Sequence, residues 1–254
     1  MTSEPTRLLM FDVSGEYAHF RKFNTTTSPL TYTIPTRPAL AGMLGAIMGI
    51  EREVAPGKFP PGVVPTQEVF AKAHCGIAVG LLAPPRRTVM GFNLLDTDSK
   101  RSFFEIKMRT QIAFELLKEP RFRVFVSHAD NGYLDTLAER LRTRRHHFTP
   151  YLGLSQFTAT LEYVAEVQAT PRRAEQPDFQ PMATAVNLNQ VQAAQPVDFS
   201  AGGAYLTETM PISMTRDRVV TEYAEVLMES QGKPLAVKAA QWLDAGTYGN
   251  VMFL

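Results

Sequence analysis

The chain has one cysteine and one tryptophan, and almost no net charge: 26 lysines and arginines stand against 25 aspartates and glutamates in 254 residues. A lone Cys75 closes no intrachain disulfide, so the sequence makes no demand for an oxidising compartment. Long hydrophobic runs are missing too. The longest near-apolar stretch, Ala39 to Ile50, falls well short of the roughly 20 residues a membrane-spanning helix needs, and reads as a core helix. Met1 to Arg7 is polar and runs straight into a strand-like Leu8 to Val13, so no signal peptide is expected. A cytoplasmic protein without membrane contact follows as the expectation. There is no GxxxxGK[ST], no GxGxxG after a strand and no HExxH. Together with the single cysteine, this argues against nucleotide cofactors and structural zinc, and no cofactor or metal is expected. The neighbouring His146 and His147 point apart and lack a nearby Asp, Glu or Cys to complete a metal site.

What is present is enough apolar material, 44% of residues, to bury a substantial core in one large domain or two modest ones. The near-zero charge hides an uneven distribution. Residues 84–145 hold 13 basic and 8 acidic side chains, whereas residues 146–254 hold 6 and 11. A basic middle suits a face for a polyanion, and an acidic remainder suits protein neighbours.

Leu8 to Val13 reads as a first strand ended by Ser14-Gly15. After the basic and aromatic run Glu16 to Phe23 comes an extended piece, Pro29 to Pro35. Leu40, Met43, Leu44, Ile47 and Met48 then form one apolar stripe, which predicts a helix over 37–50 with Thr36 as N-cap and Pro38 in the first turn. Beside the stripe, Ala41, Gly45 and Gly49 make a small flank that implies close approach by a sheet or by a nucleic-acid backbone. Phe70 to Leu82 is predicted as a strand. Residues 84–111 are predicted as a projecting hairpin, with arms Val89 to Leu95 and Phe103 to Gln111 and the turn at Asp96 to Ser99. A strand at Phe122 to Ser127 and a helix with Leu134, Leu137, Ala138 and Leu141 on one face follow. Further strands are expected at Leu161 to Val167, near Ala183 to Val191, and at Val219 to Leu227. The pattern matches the split βαβ order of a ferredoxin-like sheet in an α+β fold: residues 1–150 are expected to form that domain and carry the hairpin, and residues 151–254 a smaller β-rich part.

Two chemistries compete for the same residues. Metal-independent RNA cleavage needs a general base, a general acid and a cation, and Tyr17, His19 and Lys22, or His128 with Lys100 or Arg101, supply the residue types. RNA binding uses them differently. Arg21, Lys22, Arg86, Arg87, Lys100, Arg101, Lys107 and Arg109 reach phosphates, while Tyr17, Phe20, Phe23 and Phe92 offer faces for unpaired bases. A protein scaffold whose basic middle docks acidic partners is a third possibility.

The run Phe11 to Phe23, followed by Ser28 to Tyr32 and Ile34 to Ile47, resembles the fifth family of CRISPR-associated proteins, a branch of the repeat-associated RNA-binding (RAMP) superfamily, in the form found in type I-B Cascade complexes. Lys107 to Ile112 with Phe114-Glu115, Pro150 to Phe157 and the tail Gly249 to Phe253 agree with it in order along the chain. The resemblance implies a thumb-like hairpin at 84–111 and a non-catalytic subunit of a ribonucleoprotein that caps the 5′ handle of CRISPR RNA. Its partners would be the Cascade backbone and large subunits, with target DNA near the PAM, in RNA-guided antiviral defence. Carried over, the handle-binding candidates are Tyr17, His19, Arg21 and Lys22, Arg37 at the helix head, and Arg109 and Gln111 on the hairpin's returning arm. The type I-C relative, which cuts precursor RNA itself, resembles a nuclease with a tyrosine, lysine and histidine set. This chain has Lys100-Arg101 and Lys107-Met108 where a Lys-His pair would stand, which favours the non-catalytic branch.

Overall fold

The computed structural model describes residues 4–23, 28–55, 57–95, 109–175, 178–191, 196–200 and 202–254. The centre is a layer of four strands: β1 (Thr6–Ser14), β3 (Cys75–Leu81), β6 (Arg121–His128) and β7 (Thr160–Arg173). They lie in the order β7-β1-β6-β3, every neighbouring pair antiparallel. The sheet therefore draws strands from both sides of residue 150.

Because side chains alternate across a strand, β1 divides its apolar residues between two cores. Leu9, Phe11 and Val13 face one and Leu8 and Met10 the other. Being covered on both faces explains why β1 reads as an almost unbroken apolar run. The first face is packed by α1 (Arg37–Met48), through Leu40, Leu44 and Ile47, and by α3 (Asn131–Thr143), through Leu134, Leu137 and Leu141. The second is covered by the C-terminal residues Ala245 and Val251, with Tyr248 and Phe253 against them. Phe253 lies flat on Gly76, where a Cβ would come within 2.3 Å of the ring.

The helix α1 begins as expected. The Thr36 hydroxyl accepts from the Ala39 N–H, and Pro38 sits in the first turn. It ends two residues earlier than predicted because Gly49 adopts a left-handed φ of +84° and caps it. Both glycines of the small flank meet neighbours other than a sheet: Gly45 abuts Thr66 on the short helix α2 (Thr66–Val69), and Gly49 abuts the His147 ring. The strand expected from Phe70 starts only at Cys75, since the preceding residues form α2 and a turn.

The hairpin is present with a different register. β4 (Arg86–Leu95) pairs with β5 (Arg109–Lys118), from Arg86 opposite Lys118 to Leu95 opposite Arg109. Among the described residues the returning arm reaches Lys118, seven residues past the predicted end at Gln111, anchored by buried Phe114, Leu116 and Leu117, while Phe103 to Met108 lie outside the described residues. The predicted turn at Asp96 to Ser99 lies outside the described residues. The two-residue strand β2 (Tyr17–Ala18) pairs with the end of β5 and joins the loop after β1 to the hairpin base.

The remaining strands are β8 (Phe179–Met182), β9 (Val186–Asn187), β10 (Tyr205–Met214), β11 (Val220–Glu229), β12 (Leu235–Lys238), β13 (Gln241–Asp244) and β14 (Asn250–Val251). Strands β13, β14, β8 and β12 extend the central sheet beyond β7, and β10-β11-β9 form a separate three-stranded sheet. In place of one strand near Ala183 to Val191 there is only β9 and a 3-10 turn, Leu188–Gln190. Strand β10 was not foreseen. Its Pro211 sits where the pairing with β11 shifts register, on the edge of its sheet, a position that tolerates a residue with no N–H to donate. No helix among the described residues is long and apolar enough to cross a membrane.

Candidate nucleic-acid interface

The loop after β1 turns alternate parts of itself inward. His19 is 2% exposed. Its Nδ1 donates to the Glu115 carbonyl at 2.8 Å, since a carbonyl only accepts, so Nε2 carries the lone pair; that atom is buried without a hydrogen-bond partner. Burial pushes its pKa down, with the nearby Arg21 charge acting in the same direction. Phe20 is also interior, its ring edge-on to Phe122. His19 and Phe20 therefore leave the set of RNA contacts: both fill the core between the sheet and the hairpin base. Tyr17 is half-buried with its ring 5.9 Å from Phe157, and Phe92 packs against Phe114 and Phe157. Of the four aromatic faces expected for base stacking, only Phe23 is well exposed, beside Tyr223.

The cations sort in the same way. Lys22 Nζ lies 2.6 Å from Glu208 Oε1, a carboxylate that is almost fully buried. Arg87 reaches Glu115 at 2.9 Å, Glu208 at 3.3 Å and the Thr33 hydroxyl at 2.7 Å. The Thr33 N–H donates to the second oxygen of Glu208, and the Thr31 N–H to Glu115. Two cations and two carboxylates thus tie together the loop after β1, the extended segment at 28–35, the hairpin base and β10. The formal charges of Lys22 and Arg87 are matched by those of Glu115 and Glu208 before any ligand arrives. Arg86 pairs with Glu119 across the foot of the hairpin.

Arg37 is a correction. At 4% exposure its guanidinium donates to the carbonyls of Phe70 and Cys75, at 3.0 and 2.7 Å, and clamps the head of α1 to the start of β3. Burial lowers its pKa, opposed by Cys75 and Glu222. An arginine keeps its charge through such a shift, but this one touches no solvent-facing ligand.

Arg21, Arg109 and Gln111 remain on the surface. Directly opposed residues share a face of a hairpin, so Arg109 and Gln111 stand on one face with Leu95, Asn93 and the small pair Gly91 and Ala113. Lys100, Arg101 and Lys107 lie outside the described residues. The alternative histidine, His128, accepts the Asp130 N–H on Nδ1 and donates from Nε2 to the Val69 carbonyl. Its neighbour His74, 5.7 Å away between ring centroids, is bonded to the Glu68 carbonyl. Both nitrogens of His128 are engaged with backbone.

A family model described as "CRISPR-associated protein (Cas_Cas5)" matches residues 8–228. The chain belongs to the Cas5 family of CRISPR-associated proteins. Its fold is shared with a chain of a "CRISPR RNA-guided surveillance complex", 17% identical with a TM-score of 0.51, covering 91% of this chain and 90% of that one. A CRISPR protein from Archaeoglobus fulgidus has the same TM-score at 9% identity, covering 98% and 99%. Comparison with curated proteins gives no match.

In this Cas5 chain, reading the sequence for a polyanion site passed over the acids that organise it. Glu115 and Glu208 position Lys22 and Arg87, and the only signal in the sequence was that each is the sole acidic residue of its strand.

Proposed function

We propose that this protein is a non-catalytic subunit of a type I CRISPR effector complex of the I-B form, which binds and caps the 5′ handle of CRISPR RNA. The observation that carries the reading is the union of the loop after β1 with the hairpin: β2 pairs with β5, and the Lys22, Arg87, Glu115 and Glu208 cluster bolts them into one unit. That unit presents Arg21, Arg109 and Gln111 outward. Fixed cations on a rigid base suit phosphate positioning.

The βαββαβ order of the central layer, with α1 between β1 and β3 and α3 between β6 and β7, supports a ferredoxin-like, RRM-like domain. Exposed Val89, Leu94 and Leu95 on the hairpin support a protein neighbour there, assigned to the backbone subunit. The large subunit, and target DNA near the PAM, complete the assembly in the cytoplasm. The buried, neutral His19 and the doubly engaged His128 favour binding over cleavage. The test is charge reversal at Arg21 and Arg109, which leaves the buried ion cluster alone. R21E/R109E should fold normally and lose most of its affinity for handle RNA, with a flatter salt dependence. Unchanged RNA retention by the folded variant refutes the proposal.

A further inference from the structure

The end of α3 and the segment that follows it concentrate positive charge. Arg140, Arg142, Arg144 and Arg145 stand close together, and from Arg140 to Leu161 there is no acidic side chain. The helix dipole and the contacts of the fold account for the first two. Arg140 lies in the last turn of α3 and donates to the Ile47 carbonyl at 3.1 Å, and Arg142, in the same turn, pairs with Glu166 and lies over the Tyr163 ring. Neither reason extends to Arg144 and Arg145. Their side chains are exposed and make no ion pair or hydrogen bond among the described residues. In each of the other basic doublets described, at least one member is committed inside the chain: Lys22 to Glu208, Arg86 to Glu119, Arg87 to Glu115 and Arg172 to Asp244.

Backbone conformation does not call for arginine here either. Arg144 caps α3 with a left-handed φ of +54°, where glycine avoids the strain that a Cβ brings. The capping is done by its backbone N–H, toward the Arg140 and Leu141 carbonyls, so the side chain adds nothing to it. Arg144 also stands four residues after Arg140, a spacing at which like charges repel. Within the chain the doublet is a cost with no return, and a negatively charged partner is what would offset it.

The segment that carries the doublet is fixed in place and leads to the loop after β1. The His147 and Phe148 N–H groups donate to the Ile47 and Ala46 carbonyls, so its backbone closes the end of α1. Further along, the Leu152 carbonyl accepts from the His19 N–H at 3.0 Å, and a Cβ on Gly153 would come within 1.9 Å of the His19 carbonyl oxygen. Residues 144–153 thus join the arginine doublet to the loop that carries Arg21. Between the two ends Phe148 and Tyr151 are each 40% exposed. Cations interleaved with exposed rings along a fixed track suit an unpaired nucleic-acid strand, whose phosphates and bases use both, whereas an acidic peptide would use the cations alone.

We infer that the RNA strand bound at the loop after β1 continues along residues 144–153, where Arg144 and Arg145 each take one of its phosphates. The inference rests on the RNA-binding reading above and deepens it.

The test measures the affinity of the purified chain for handle RNA by fluorescence anisotropy across a salt series, wild type against Arg144→Gln/Arg145→Gln. Each phosphate contact on a single strand contributes about 0.7 to the slope of log affinity against log salt. The double variant should therefore show a slope shallower by about 1.4 and bind roughly 10-fold more weakly at physiological salt. Arg144→Gly separates binding from folding. It relieves the left-handed strain and should raise Tm by about 2 °C, while making the slope shallower by about 0.7. An arginine with a purely structural role would not give a variant that is more stable and binds RNA less. If R21E/R109E loses RNA while Arg144→Gln/Arg145→Gln keeps the wild-type slope and affinity, the handle reading stands and the phosphate track is overturned. A doublet variant that keeps RNA in full and drops a protein subunit from the assembled complex also overturns it, giving the arginines to an acidic partner. If the wild-type chain binds no handle RNA, both fall.

Discussion

Glu208 is the carboxylate on which the loop and the hairpin converge, so its removal should be felt well beyond β10. Glu208→Ala deprives Lys22 and Arg87 of their shared partner and leaves the Thr33 N–H without an acceptor. Breaking a fully buried pair costs about 3–5 kcal/mol. Lys22 and Arg87 retain 27% and 36% exposure, so water recovers part of that. A buried N–H stripped of its acceptor adds about 1–3 kcal/mol. A total near 3 kcal/mol is expected, which for a chain of this size lowers Tm by roughly 6–12 °C. The comparison is Arg86→Ala, which breaks an exposed pair with Glu119 and should cost less than about 1 kcal/mol. Urea denaturation followed by tryptophan fluorescence and circular dichroism measures both, and the Glu208→Ala/Lys22→Ala double variant isolates their coupling. If Glu208→Ala costs no more than Arg86→Ala, or if the coupling is zero, the cluster does not hold the loop to the hairpin.

Two further outcomes follow from packing and ionisation. Gly76→Ala pushes a methyl into the Phe253 ring and should destabilise by about 1–3 kcal/mol; adding Phe253→Ala should return part of that loss, and a double variant no more stable than Gly76→Ala contradicts the clash. His19 has its pKa lowered by burial from an ordinary 6.5. The unfolded chain then binds the proton first, so stability is fully present above about pH 6.5 and falls as pH drops from there toward the depressed folded value. His146, lowered by burial as well, contributes in the same sense, and His19→Asn should reduce the acid slope in pH-dependent urea titrations without abolishing it.

Local chemistry made some elements legible and left others hidden. The α1 stripe, its Thr36 cap and the strand β1 announce themselves because periodicity and capping are encoded within a dozen residues. The hairpin was visible as a segment, while its register was not: the buried Phe114, Leu116 and Leu117 that fix it are set by contacts with distant strands. β10 was masked by Pro211, whose edge position no local pattern reveals. Among the candidate residues, Arg37 shows the main hazard. A basic residue at a helix head looks available, and only the fold shows that two backbone carbonyls have claimed it. His19 follows the same logic, since the carbonyl it serves is 96 residues away. The small flank of α1 pointed to a close approach correctly and to the wrong neighbours, because Gly45 meets Thr66 and Gly49 meets His147.

The central claim is that this Cas5 protein holds the RNA handle without cutting it. The most direct measurement incubates the purified chain in EDTA with labelled repeat RNA and with mature CRISPR RNA, and scores binding and cleavage together across a salt series. The account predicts salt-sensitive binding that requires the handle and leaves every RNA intact. A specific cut within the repeat, abolished by His19→Ala or His128→Ala, would contradict it.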